Sequence, residues 1–161
     1  MHLRRLLTVT FSTMSSGFRN EDATIRKVLT ETRTIALVGA SNKPERPAHY
    51  VMQYLLQKGY NVIPVNPGLE GKELLGQPVF GSLSSIPETV DMVDIFRNSA
   101  AVPPIVEEAI GIGAKSIWMQ IGVVNKDAAK LGEDAGMDVV MNACPKIEIP
   151  RLLIDGPQSQ L

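Results

Sequence analysis

The stretch TIALVGASNKPERPAHYVMQYLLQKGYNVIPVNP, residues 34–67, decides the fold. It opens with TIALV (34–38), a continuous apolar run stopped by Gly39, the pattern of a strand covered on both faces. AHYVMQYLLQKG (48–59) follows, with Val51, Met52, Leu55 and Leu56 on one helical face and Gly59 as the stop. NVIPV (61–65) is a second apolar run. A helix between two such runs acts as a crossover and leaves the strands parallel.

The alternation continues in both directions. VDMVDIF (90–96), KSIWM (115–119) and MDVVM (137–141) predict three further strands. PPIVEEAIGIG (103–113) predicts a helix with prolines in its first turn, and NKDAAKLGEDAG (125–136) one capped by Asn125. Upstream, NEDATIRKVLTETR (20–33) predicts a helix with Asn20 as N-cap, acids in the first turn and a stripe of Ile25, Val28 and Leu29. The fold class is α/β: a Rossmann-like, doubly wound parallel five-stranded sheet with helices on both faces. The tail after Arg151 is expected to be short and loosely held.

The chain has 161 residues, enough for one domain with a real core. Its 16 basic and 17 acidic residues give a net charge of -1, which excludes a broadly basic nucleic-acid binder. One cysteine, Cys144, excludes a disulfide framework and a multi-Cys zinc site. Two histidines, His2 and His49, argue against a His-rich metal site. No apolar run approaches the roughly 18 residues of a membrane span. Residues 1–20 carry Arg4, Arg5 and Arg19 and no acid, and without them 13 basic residues face 17 acidic ones. This segment reads as a leader or a frayed extension, with Met14 as an alternative start, ahead of one domain at 21–155. The expected compartment is cytoplasmic, or mitochondrial if residues 1–20 are a transit peptide.

In a doubly wound sheet, ligands bind beyond the carboxyl ends of the strands, where the strand order reverses. The informative residues are therefore Gly39 to Lys43, Asn66 to Gly68, Arg97 to Ser99 and Gln120 to Gly122. Gly39 turns the chain toward a helix N-terminus. Ser41 and Asn42 bring side-chain donors, and Lys43 and Arg46 bring positive charge. That combination suits a phosphate. The alternative is a tight turn with solvated cations. A dinucleotide fingerprint fails, because Ser41 and Pro44 stand where a glycine and a glycine or alanine belong and Asn66 stands near the place of the ribose-binding acid. Pro44 and Glu45 exclude a Walker A loop.

The segments 35–67, VDMVDIFRN (90–98), AKSIWMQIGVVN (114–125) and CPKIEIPRL (144–152), in this order and spacing, carry a resemblance. The chain resembles the small stand-alone coenzyme A-binding proteins (YccU-like), which are similar to the N-terminal CoA-binding domain of the succinyl-CoA synthetase alpha subunit. The likeness spans about Ile25 to Leu152. It implies a Rossmann-like domain with CoA, or an acyl-CoA, as its cofactor. Ser41, Asn42 and Lys43 would lie against the phosphates, with Gly39 shaping the turn and Arg46 as a counter-charge. Asn66 and Pro67 would border the adenosine, Phe96 and Arg97 the nucleotide or its phosphates, and Met119, Gln120 and Gly122 the pantetheine arm. One departure stands out: where the family usually has Arg between an acid and the Cys, this chain has Asn142-Ala143-Cys144. The ligases' catalytic histidine and ATP-handling parts belong to other domains, so the resemblance carries no ligase activity.

The remaining candidates are weaker. Cys144 reads as a thiol that exchanges with CoA or takes an acyl group, or as an inert core residue. His49 reads as a phosphate contact or a packing residue, and Trp118 as core. Asp91 and Asp94, three apart on a strand, point to opposite faces and make a poor carboxylate pair. No Ser-His-Asp set or general base is evident. The expected function is non-enzymatic binding of CoA or a short acyl-CoA as carrier, sensor or regulatory module, with a protein partner left open and no nucleic acid or membrane partner. The alternatives are an NADP-type enzyme, with Lys43 and Arg46 on a 2′-phosphate, and an interaction domain with a vestigial pocket.

Overall fold

The computed structural model describes residues 18–158. Its centre is a five-stranded, all-parallel sheet in the order β2-β1-β5-β6-β7. These strands are β1 (Thr34–Val38), β2 (Asn61–Val65), β5 (Met92–Ile95), β6 (Ser116–Met119) and β7 (Asp138–Val140). Helix α1 (Asp22–Glu31) precedes β1, and α2 (Pro47–Gln57) joins β1 to β2. Between β2 and β5 lies a short antiparallel hairpin, β3 (Glu73–Leu74) and β4 (Gln77–Pro78). The crossovers on the other side are α3 (Val102–Gly111) and α4 (Lys126–Asp134), and α5 (Pro145–Arg151) follows β7. The architecture is the Rossmann-like α/β fold expected from the alternation.

Strand alternation divides the core into two layers. Ile35, Leu37, Trp118 and Val140 meet α1, α2 and α5 through Leu29, Met52 and Ile149. Ala36, Val93, Ile117 and Val139 meet α3 and α4 through Val106 and Ala129. Each fully buried aliphatic side chain contributes about 1.5–3 kcal/mol. That layering is why the strand sequences read as unbroken apolar runs.

Several boundaries differ from expectation. Asn20 does not cap α1; Glu21 holds that position without a side-chain bond. The Asn20 carboxamide instead donates to the Met141 carbonyl (2.8 Å) and accepts from the Met141 N–H (3.0 Å), lengthening the sheet edge beyond β7. Phe18 packs against the α3/α4 layer; residues 1–17 of the expected leader lie outside the described residues. Helix α5 was not expected, since Pro150 sits inside it, yet Pro145 suits its first turn. The tail is not loose up to Ile154: Leu152 and Ile154 are buried, and further on the Gln158 N–H donates to the Thr30 carbonyl at 3.1 Å.

The two aspartates of the third long strand do part company. Asp91 accepts from the N–H groups of Arg33 and Thr34 at 3.0 Å each, holding the start of β1. Asp94 pairs in register with Leu37 and Trp118, is fully buried, and neither of its oxygens has a partner.

The order of connections sends β1 to β2 on one side and β5 to β6 and β7 on the other. The switch point therefore lies between β1 and β5. There the Phe96 N–H donates to the Val38 carbonyl at 2.8 Å, and the Gly39 N–H to Val65 at 3.0 Å. Gly39 has φ of +89°, and a Cβ placed on it would sit 2.3 Å from the Phe96 carbonyl oxygen and 3.2 Å from Arg97 Cδ. Only glycine meets both conditions without strain.

Two predictions follow from this geometry. Gly39→Ala combines a left-handed backbone with a main-chain clash and should destabilise the fold by about 3 kcal/mol or more in urea unfolding; a loss below about 1 kcal/mol would show the two loops to be easily parted. Burial holds the Asp94 carboxyl well above the usual carboxylate range, so the folded chain binds its proton more tightly than the unfolded chain does. This group's stability contribution is complete below the ordinary value of 3.8 and is lost as pH rises through the folded value. Asp94→Asn should flatten the profile of unfolding free energy above about pH 4, removing a decline of about 1.4 kcal/mol per pH unit between the unfolded and the raised folded value. Superimposable slopes for the two proteins would contradict the assignment.

Candidate functional site

At the carboxyl edge of the sheet, over the switch point, lies a cavity of about 1030 Å³. Every strand of the main sheet sends its following loop to the lining. The β1 loop contributes Gly39, Ser41, Asn42, Lys43 and Arg46. Asn66 and Pro67 follow β2, Phe96 and Arg97 follow β5, and Gln120 follows β6. Ten of the residues named from sequence thus share one cavity.

Local hydrogen bonds shape the β1 loop. The Ser41 hydroxyl oxygen accepts from the Lys43 N–H (3.1 Å), and the Lys43 carbonyl from the Arg46 N–H (3.0 Å). Arg46 is the N-cap of α2 and Pro47 its first residue, so the helix N-terminus opens toward the cavity. That end carries partial positive charge. Lys43, Arg46 and Arg97 are exposed, and none forms a salt bridge with another described residue. Together they make a positive rim with room for an anion.

Asn66 works differently from expectation. Its Nδ2 donates to the Ala40 carbonyl at 2.7 Å and its Oδ1 accepts from the Gly68 N–H at 2.8 Å. The side chain braces the β1 and β2 loops against each other. Pro67 then starts a short 3-10 turn.

Gln120 is 5% exposed, and its Oε1 is buried without a donor. Its backbone is held by the bond from its N–H to the Ile95 carbonyl (3.3 Å). Two sequence candidates are not in the lining. Met119 is fully buried in the α3/α4 layer, because strand alternation turns it away from Gln120's side. Gly122 faces neighbouring loops: its N–H donates to Asn142 Oδ1 (2.8 Å) and its carbonyl accepts from the Ser99 hydroxyl (3.4 Å). Ile121 and Val123, on either side of it, do line the cavity. His49 is outside the lining too, and its buried Nδ1 has no partner.

Sequence reasoning missed three groups. Lys146 and Ile147 line the cavity beside Cys144. The strand-end rule, applied to the fifth strand as to the other four, would have found them. Tyr50 comes from the outer side of α2, with Lys146 Nζ 4.9 Å from its ring centre. Ser82 and Leu83 enter from the insertion between β2 and β5, where no strand end marks them. Glu108 of α3 holds that insertion by accepting from the Ser84 N–H at 2.8 Å. Chemically, the cavity offers cations and a helix N-terminus at its β1/β5 end. At its β6/β7 end it offers one buried carboxamide, one thiol, apolar side chains and one further cation, the exposed Lys146. Among the described residues, no group of His, Cys, Asp or Glu side chains is arranged to hold a metal ion, and no helix is long and apolar enough to cross a membrane.

Known proteins share this sequence and fold. A protein of unassigned function from Bacillus subtilis, YneT, is 36% identical over 125 residues, covering 78% of this chain and 91% of that protein. A hypothetical protein from Pyrococcus horikoshii has a solved structure that superposes with a TM-score of 0.79 at 43% identity, covering 85% of this chain and 98% of that one. The alpha subunit of an ADP-forming acetate–CoA ligase from Pyrococcus furiosus is 30% identical over 112 residues, which is 67% of this chain but 23% of the subunit. The family described as "CoA binding domain" matches residues 33–150, from the start of β1 to the end of α5, and the chain belongs to that CoA-binding domain family.

Proposed function

We propose that the chain binds coenzyme A or a short acyl-CoA reversibly and without turnover, serving as a carrier, sensor or regulatory module. The observation that carries this reading is the convergence of the strand-end loops on one cavity, with Lys43, Arg46 and Arg97 near one end and the buried Gln120 and Cys144 near the other. The diphosphate of CoA would take the Ser41–Lys43 turn and the N-terminus of α2, with Arg46 and Arg97 as counter-charges. The adenosine would lie along Asn66 and Pro67. The pantetheine arm would then run toward Gln120 and Cys144, where one of its amide N–H groups supplies the donor that Gln120 Oε1 lacks. The apolar walls at that end suit the arm and a small acyl group.

The carboxylate in the lining, Glu108, is bonded to the Ser84 N–H, a structural use that fits a binding role. A nicotinamide dinucleotide is less well served. The residue after β2 that would hold its ribose is Asn66, whose side chain is already committed to Ala40 and Gly68. The compartment of action follows that of the CoA pool the chain meets, cytoplasmic in our reading.

Calorimetry with CoA, dephospho-CoA and acetyl-CoA tests the proposal. CoA should bind, and Lys43→Ala and Arg97→Ala should each weaken it by about 1–2 kcal/mol, roughly five- to thirty-fold in Kd, with a loss that shrinks as salt rises. Absence of heat with both CoA and dephospho-CoA would overturn it.

A further inference from the structure

We infer that Cys144 exchanges with a disulfide of coenzyme A and holds the cofactor through a mixed disulfide. The inference rests on the CoA reading above and names what the thiol end of the arm meets.

Two independent features of the cavity lead there. The first is the thiol. Cys144 is the chain's one cysteine, is 7% exposed, and lines the same cavity as the cationic β1 loop. Its backbone is fixed just upstream, where the Ala143 carbonyl accepts from Trp118 Nε1 (2.9 Å) and the Ala143 N–H donates to Met119 (3.2 Å). The second is Gln120, more than nine-tenths buried, with an Oε1 that has no donor among the described residues. An occupant must bring that donor, and an amide-bearing arm does so. Gln120 follows β6 and Cys144 follows β7, which are adjacent strands, while Lys43, Arg46 and Arg97 follow β1 and β5 and Lys146 alone among the lining cations follows β7. A ligand with phosphates at the first pair and amides at Gln120 has its far end directed at Cys144. In coenzyme A that far end is sulfur.

The step balances without an outside oxidant. The Cys144 thiol loses its proton to solvent, and the thiolate attacks one sulfur of the CoA disulfide. The S–S bond of that disulfide breaks and a Cys144 Sγ–S bond forms. The other CoA leaves as a thiolate and takes up a proton. A free thiol reverses the exchange. Burial makes the reaction selective: a disulfide in bulk solvent has little access to the thiol of a buried residue, whereas one held by its phosphates is delivered to it.

Intact-mass measurement of the full chain incubated with CoA disulfide tests this. One CoA should add per chain, come off with dithiothreitol, and add about ten-fold or more faster than glutathione adds from its own disulfide, because only the first is prepositioned. Lys43→Ala should slow the CoA addition several-fold more than it slows reaction with uncharged hydroxyethyl disulfide. Cys144→Ser and Cys144→Ala should take no adduct yet still bind CoA in calorimetry. Heat of CoA binding to the wild-type chain with no adduct, or equal rates for the two disulfides, would overturn the exchange and leave the binding reading standing. Absence of both heat and adduct would overturn the two together.

Discussion

The site depends on a close approach of two main chains. Parallel strands all leave the sheet at one edge, and at the switch point the loops after β1 and β5 depart toward opposite faces. Here they touch first: Gly39 lies against the Phe96 carbonyl, with Arg97 Cδ beside it. A side chain at 39 would push the β5 loop outward and carry Arg97 with it. The cationic end of the cavity exists because β1 and β5 can be hydrogen-bonded neighbours to their last residues and still diverge. The Asn66 brace completes the arrangement by tying the β2 loop to Ala40.

Charge and burial vary together across the cavity. The cations at the β1/β5 end are exposed, so they attract an anion at long range but are screened by salt and contribute modestly each. At the β6/β7 end Lys146 is exposed as well, but the Gln120 carboxamide is buried, and its Oε1, unpaired among the described residues, is costly until an occupant pairs with it. On the proposed reading, steering and selectivity would be separated: the exposed cations would collect polyanions in general, and the buried Gln120 would distinguish what hangs from them. Nucleotides without an amide-bearing arm would satisfy only the first requirement.

The alternating apolar runs were enough to read the sheet, its parallel sense and the crossovers, because a strand covered on both faces has few alternatives. Boundaries were less legible. Asn20 has the side chain of a cap, but the open edge of β7 offers it two backbone partners at Met141, which no local pattern announces. Helix α5 was hidden by Pro150, whose missing N–H matters little so near the end of a seven-residue helix. In the site, the strand-end rule located the β1, β2, β5 and β6 loops. It misjudged Met119, where one residue of alternation separates lining from core. Ser82, Leu83 and Glu108 belong to a long-range contact between the β2–β5 insertion and α3, and sequence spacing carries no trace of it.

The corner that departs from the family's usual ending shows how a charged pair can be replaced by turn chemistry. Asn142 has φ of +58°, a conformation that asparagine tolerates better than most residues. Its Oδ1 accepts from the Gly122 N–H at 2.8 Å, clasping the β6 loop to the end of β7. One residue on, the Ala143 carbonyl receives the Trp118 indole N–H. Gln120 and Cys144 are thus held by the same few bonds, one on each side of the clasp. The clasp keeps the two groups at a fixed separation, and a fixed separation is what a ligand arm needs if its amide and its sulfur are to be met at once.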